Sequence, residues 1–349
     1  MKAVFRRNRN TVSIEDIASP KPGTGDVIVK MLACGICGSD LEKVYSEYGM
    51  SSGSRLGHEP AGQVIKTGAS VKDFSLGDRV FIHHHVSCYS CYYCLHGDYT
   101  MCEMYQRSNI DPCGLSEEFL VPEWNITRGG LIKLPKTITY DEASLIEPLA
   151  CCIRGLSKCH FQRGDDVLVF GAGPTGMMHV ILAKTFGAGK IIVLDINDYR
   201  LEFARKYDNN IQTINSIKDK KDLVQKIKNA TDNRGADISI IATGNMETLL
   251  QSFNLTRRAG KIMLFGVPPR GSEISHDVSK LYSNELSLIP SYAASEIETN
   301  QALKLIAEKR IDVKPLITHR FNIKNADNAI RCAYEAKNAM KVIVTTTNK

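Results

Sequence analysis

Nowhere in the 349 residues does an apolar run approach the roughly 18 residues that a membrane span needs. The N-terminus, MKAVFRRNRNTVSIEDI, is basic but has no apolar h-region behind it, so it does not read as a secretory signal. Together these absences predict a soluble, cytoplasmic chain with no membrane partner. Charge of one sign is also missing: Lys+Arg number 44 against Asp+Glu 38, a formal +6 spread along the chain. The densest basic stretch, Lys218–Ala230, carries Asp219 and Asp222 as well and reads as a solvated helix face. A nucleic-acid surface needs a denser basic stripe, so that partner class is excluded. No internal repeat or low-complexity segment interrupts the chain. What is present is length and apolar content, 349 residues at 43% hydrophobic, enough for two domains with separate cores. There are also eleven cysteines. In a reducing compartment these favour metal binding over disulfides.

The first 145 or so residues carry short alternating or apolar runs (KAVFR, DVIVKML, AGQVIKTG, GDRVFIH, SEEFLVP) punctuated by Gly, Pro, Asn and Asp. That rhythm predicts a mostly β domain. From Asp165 it changes: DDVLVF, GAGPTG, MMHVILAKTFGAG and KIIVLD alternate strand and helix composition, and ADISIIATG, GKIMLFGV and LSLIPSY continue the series. Near-continuous apolar strands between helices argue for a doubly wound parallel α/β sheet. After about Pro290, TNQALKLIAEKR, THRFNI and MKVIVTT are expected to return to the first domain and complete it.

Four cysteines crowd into CYSCYYCLHGDYTMC: Cys88, Cys91, Cys94 and Cys102, spaced C-x2-C-x2-C-x7-C. Zinc takes four thiolates tetrahedrally, and short C-x2-C turns aim successive sulfurs at one point. An iron–sulfur run would close with C-x3-C-P, whereas here the last gap is longer and Glu103 follows Cys102. Four protein ligands leave no open position, so this zinc is structural. Cys34, Cys113, Cys151, Cys152, Cys159 and Cys332 show no such pattern and read as packing residues.

Gly171-Ala172-Gly173-Pro174-Thr175-Gly176 lies between a strand and a helix, the context that lifts G-x-G-x-x-G above chance. The first glycine permits the tight turn, the second lets backbone approach a pyrophosphate, and the third lets helix pack on strand. Pro174 falls at the helix start, where its missing N–H costs nothing. Asp195 ends the next strand, nineteen residues after Gly176, placed to accept both adenosine ribose hydroxyls and to repel a 2′-phosphate. The nearest arginine is Arg200, five positions on. The expected cofactor is NAD, with Gly171, Gly173, Pro174, Thr175, Gly176, Asp195 and Arg200 as its site.

Two fragments remain in the β domain. CGICGSD holds Cys37, Ser39 and Asp40; GHEPAG holds His58 and Glu59. Either alone is compatible with a core thiol or a core histidine. Taken in order, however, CGICGSD, GHEPAGQVIKTGASV (with Gly62, Gly68 and Val71), the four-cysteine lobe, IEPLACC, GAGPTG and LFGVPP resemble the zinc-dependent medium-chain dehydrogenase/reductase family, in its sorbitol (polyol), threonine and alcohol dehydrogenase branch. The resemblance spans essentially the whole chain. It implies a GroES-like β-rich catalytic domain at 1–145 completed by 291–349, and a Rossmann NAD-binding domain at 146–290. It also implies two zinc ions per subunit, one catalytic and one structural, and a homodimer or homotetramer.

Carried over residue by residue, Cys37 and His58 become catalytic zinc ligands, with Glu59 or Glu147 supplying a carboxylate; the choice between the two stays open. One thiolate, one imidazole and one carboxylate leave a position for substrate. Asp40 would fix the tautomer of His58, and Ser39 would receive the alcohol proton. The reaction implied is hydride transfer from a secondary alcohol, a polyol or a similar compound, to NAD. Competing readings are an aldehyde or semialdehyde reductase of the same family, and a non-catalytic nucleotide-binding protein, which would not need Cys37, His58, Ser39 and Asp40 together.

The chain departs from the family pattern twice. Glu42 stands where many relatives place the histidine that ends the proton relay, so the relay is expected either to end on this carboxylate or to bypass it through water. Lys43 replaces an aromatic pocket residue, which raises the expectation that Lys43, with Arg55 or Arg107, meets a phosphate or carboxylate on the substrate. Three solvent-facing cations are the competing reading. His83, His84 and His85, read as strand residues, would alternate faces and could not share one ion; His84 is the expected polar wall of the substrate pocket.

Overall fold

A computed structural model describes residues 1–46 and 55–347. It divides into two units, Met1–Ala150 with Ala293–Lys349, and Cys151–Tyr292. The division falls inside the helix Ile146–Lys158, so Glu147 belongs with the first unit.

The first unit opens with the antiparallel hairpin β1 (Lys2–Asn8) and β2 (Thr11–Asp16). Its main sheet uses β3 (Val27–Gly35), β4 (Glu59–Thr67), β5 (Arg79–Ile82), β6 (Glu118–Val121) and β7 (Leu131–Lys133). The second unit holds β8 (Val167–Phe170), β9 (Ile191–Asp195), β10 (Gln212–Asn215), β11 (Ala236–Ile241), β12 (Thr256–Leu264) and β13 (Ser287–Pro290). The chain then returns to the first unit with β14 (Ile317–Asn322) and β15 (Lys341–Thr345).

In the first unit the order is β14-β15-β3-β4-β5-β7. One edge of β3 runs along β4; the other is shared, by β6 along Val27–Lys30 and by β15 along Cys34–Gly35. The end of β3 therefore lies between the starts of β4 and β15, with Gly35 opposite Glu59. Val29, Met31, Val64, Ile82, Phe119 and Val342 are among the apolar residues packed into this unit's core.

In the second unit all six strands are parallel, in the order β10-β9-β8-β11-β12-β13. Every residue of β8, β9 and β11 is buried, as strands covered on both faces require. The order grows outward from β8 in both directions. With right-handed crossovers, that reversal puts the connecting helices on opposite faces and leaves a switch point between β8 and β11. The turn after β8 is Gly171–Gly176. Gly171 takes φ +98°, a left-handed conformation that glycine alone adopts freely. The helix Pro174–Phe186 starts with proline in its first turn and stops at Gly187, φ +86°.

Candidate metal centres and nucleotide site

Cys88, Cys91, Cys94 and Cys102 bring four sulfurs within 4.8 Å of one another. Cys91 and Cys94 lie 3.6 Å apart and Cys88 and Cys94 3.9 Å. A tetrahedral zinc with bonds of about 2.3 Å spaces its sulfurs about 3.8 Å apart, so the geometry fits. Backbone N–H groups of Ser90 and Cys91 donate to Cys88 Sγ, and that of Cys88 to Cys102 Sγ. The donors from Ser90 and Cys91 pull the Cys88 thiol down to about 6, whereas burial pushes that of Cys94 up to about 12.

The second group stands where β3 ends and β4 begins. Ligand atoms of Cys37, His58 and Glu59 all fall within 4.8 Å of one another. Cys37 caps the helix Gly38–Tyr45, and Asp40 in its first turn reaches back to accept the Cys37 N–H at 3.2 Å. The same carboxylate accepts the Gly57 N–H at 3.0 Å and lies 3.4 Å from His58 Nδ1. Asp40 thus ties both ligand-bearing loops together and orients the imidazole. Burial would raise its pKa, but the His58 charge holds it below the usual carboxylate range. Burial likewise lowers His58, and the charges of Asp40 and Cys37 outweigh it and raise it well above 6.5. Ser39 Oγ sits 3.4 Å from His58 Nε2, and Glu42 is exposed one helical turn further on.

Glu59 is fully buried and Lys341, at the start of β15, forms an ion pair with its Oε2. Beyond that ion pair neither of its carboxylate oxygens, both buried, has a hydrogen-bond partner. A buried carboxylate oxygen left orphaned beside a thiol and an imidazole fits a divalent cation. Glu147, 5% exposed, acts through its charge on both Glu59 and Lys341.

Beside this group lie His83–His85, and here the strand expectation is corrected. β5 ends at Ile82, and the His83 N–H turns to the Gly130 carbonyl, so the three histidines follow the strand in a bend. The His84 ring centre lies 5.1 Å from that of His58 and 4.0 Å from that of His85. Burial, then the neighbouring histidines and Lys43, push His84 well below 6.5, which favours the neutral imidazole. His83 Nδ1 meets Glu296 Oε1 at 2.6 Å, and Glu296 Oε2 accepts from the Tyr89 hydroxyl. Lys43 is half-buried, and its charge acts on Asp40, His84 and His85. Arg55 pairs with Asp111 at 2.9 Å and Arg107 with Glu103, so each arginine already carries a carboxylate.

In the second unit the glycine-rich turn is tightly constrained. A Cβ at Gly176 would sit 1.8 Å from the Gly171 carbonyl oxygen. Asp195 accepts the Ala172 N–H at 2.7 Å and the Asn197 N–H at 2.8 Å, which leaves acceptor capacity on both oxygens. Arg200 folds back so that its Nη1 lies 3.4 Å from where a Gly173 Cβ would be, and its Nε is buried without a partner. A guanidinium over the N-terminus of a helix whose first turn, Pro174 and Thr175, is partly open fits a phosphate group. Ile196, 64% exposed, follows Asp195 and offers an apolar platform that the sequence did not single out.

Two family models match the chain. Residues 23–136 match the alcohol dehydrogenase GroES-like domain, and residues 174–308 match the zinc-binding dehydrogenase domain. Sorbitol dehydrogenase of Bacillus subtilis (strain 168) is 31% identical across 99% of this chain and 97% of its own. The chain belongs to the zinc-dependent medium-chain dehydrogenase family. Among solved structures, the zinc-dependent alcohol dehydrogenase 2 from Streptococcus pneumonia superposes with a TM-score of 0.88 at 28% identity, covering 100% of this chain and 99% of that one. A zinc-binding dehydrogenase from Sinorhizobium meliloti 1021, bound to NADP, gives 0.86 at 27% identity, covering 99% and 98%. The chain thus combines a GroES-like domain with a parallel-sheet, Rossmann-type domain, as a zinc-dependent dehydrogenase does. The four-cysteine group fits the structural zinc, and Cys37, His58 and Glu59 fit the catalytic one. Among the described residues no helix is long and apolar enough to cross a membrane.

Proposed function

We propose that the protein is a cytoplasmic NAD-dependent dehydrogenase that oxidises a secondary alcohol, a polyol or a compound like one. The GroES-like part comprises residues 1–145 and 291–349, and the nucleotide-binding part residues 146–290. The observation that carries this reading is the buried Glu59 carboxylate, without a hydrogen-bond partner beyond Lys341, beside Cys37 and His58. It supports a metal held by three protein groups, which leaves a fourth position for substrate as a catalytic zinc requires.

A zinc ion bound there would supply Lewis acidity that lowers the hydroxyl pKa of an alcohol, and NAD would supply the hydride acceptor. Cys37 and His58 would hold the metal, with Asp40 fixing the imidazole. Ser39 takes the alcohol proton and passes it toward Glu42, which shares its helix face three residues on and reaches solvent. His84, neutral and 9% exposed, walls the pocket and can hydrogen-bond a second hydroxyl. In the other unit Gly171–Gly176 cradles the pyrophosphate, Arg200 faces its charge, and Asp195 takes the ribose hydroxyls. A carboxylate at that place supports NAD over NADP.

Lys43 makes an anionic group on the substrate a second reading. Its charge reaches His84 and His85, whereas Arg55 and Arg107 are already paired. Self-association is supported by β13, an edge strand that exposes Leu288 and follows a helix exposing Val278 and Tyr282.

A panel of polyols, polyol phosphates, hydroxy acids and simple alcohols, each with NAD and with NADP and read at the reduced-nicotinamide absorbance, tests the proposal. Turnover of a polyol with NAD is expected. Turnover confined to aldehydes in the reductive direction, or no turnover of any alcohol, contradicts it. Loss of a phosphate preference in Lys43→Ala would support the second reading.

A further inference from the structure

The catalytic metal group carries one partner that the motifs do not announce. Lys341 is 3% exposed, lies at the start of β15, and pairs with Glu59 Oε2. The two residues do not stand on neighbouring strands: β3 runs between β15 and β4. They meet across it because the intervening residue is Gly35. A Cβ there would lie 1.8 Å from Glu59 Oε2 and 2.7 Å from Lys341 Cε. Any side chain at Gly35 would therefore occupy the space in which the pair forms. A buried cation, a buried carboxylate and the glycine between them make a built arrangement.

We propose that Lys341 is a positioning residue that limits Glu59 as a metal ligand. Held at Oε2, Glu59 is left with Oε1 for a metal beside Cys37 and His58, and would share its negative charge between the ammonium and that metal. A metal there would keep more of its positive charge and be held less firmly than by a free carboxylate. Glu147 is buried as well and its charge acts on Glu59 and on Lys341, so removing the ammonium would leave two buried carboxylates without that cation. This inference rests on the reading of Cys37, His58 and Glu59 as a metal site.

The test is the rate of zinc release to a chromophoric chelator, measured on the purified full chain without any substrate. Wild type is expected to release zinc in two phases, and the phase missing from Cys37→Ser identifies the site. If wild type has no Cys37-dependent phase, the metal reading itself fails. With that phase present, Lys341→Met is expected to slow it roughly ten- to a hundredfold, the range of one hydrogen bond to a charged group. Lys341→Arg is expected to restore the wild-type rate to within about threefold, since a guanidinium can still hold Glu59. In the Glu59→Gln background the effect of Lys341→Met is expected to shrink by at least about threefold, as coupled residues require. An unchanged or faster Cys37-dependent phase in folded Lys341→Met overturns the proposal. So does an equal effect without the Glu59 carboxylate, because Lys341 would then act on the metal directly. Should Lys341→Met not fold by far-UV circular dichroism, Lys341→Gln keeps a hydrogen-bond donor for Glu59 while dropping the charge. It is expected to slow the same phase at least about threefold, and the same two contrary results apply.

Discussion

His179 offers a perturbation whose size follows from the structure. It lies inside the helix Pro174–Phe186 with no exposed surface, its ring edge-on to Phe265 at 4.5 Å between centres. Neither ring nitrogen has a hydrogen-bond partner, and burial alone lowers its pKa to about 3. A buried polar group left unpaired costs about 1–3 kcal/mol, so His179→Leu, similar in volume, is expected to be more stable at pH 7 by about 2 kcal/mol. The pH dependence is the sharper readout. The folded imidazole stays neutral down to about pH 3, whereas the unfolded chain takes up a proton below about 6.5. Between those values the unfolded state binds more protons, so this residue's stability contribution is complete above 6.5 and falls as pH falls. From pH 6.5 to 5 the loss is about 1.5 × 1.36, or about 2 kcal/mol. The gap between variant and wild type should therefore widen from about 2 kcal/mol at pH 7 to about 4 kcal/mol at pH 5. Urea unfolding followed by far-UV circular dichroism measures it; the single tryptophan, Trp124, lies in the other unit and would not report on this helix. Parallel pH profiles for the two proteins would refute the reasoning.

Two further outcomes are expected. Gly176→Ala forces a Cβ to within 1.8 Å of the Gly171 carbonyl and should cost the second unit about 3 kcal/mol in urea unfolding, with cofactor affinity falling alongside it; wild-type stability would show that the turn relaxes freely. Cys94→Ser removes a sulfur that lies 3.6 Å from Cys91 and 3.9 Å from Cys88, and should lower the thermal midpoint and the zinc content by one ion per chain. Unchanged zinc content would deny that the four thiolates share a metal.

The parts legible in the sequence were those whose chemistry is local. C-x2-C turns and the glycine-rich turn each bring their members together within a short stretch of chain, so spacing alone carried their geometry. Strand–helix alternation was equally readable, because β8, β9 and β11 are buried throughout and show it as unbroken apolar runs. What escaped depended on register between distant segments. Lys341 reads as an ordinary residue opening a strand until β15 is known to lie beside β3, and Gly35 as one more glycine until Glu59 is found across from it. The pairing of His83 with Glu296 spans 213 residues and joins the first stretch of chain to the part that returns. His83–His85 were misplaced on a strand for a related reason: where β5 stops depends on its partner β7, which reaches no further than the residue opposite Ile82. Arg200 was noticed only by its distance from Asp195, yet the fold brings it back over Gly173.

The central claim is that Cys37 and His58 hold a reactive metal separate from the one in the cysteine lobe. Zinc content per chain in wild type and in folded Cys37→Ser tests it most directly. Values near two and near one are expected, with alcohol oxidation lost in the variant. A wild type holding a single zinc, or a Cys37→Ser protein that keeps two and still turns over, would contradict the account.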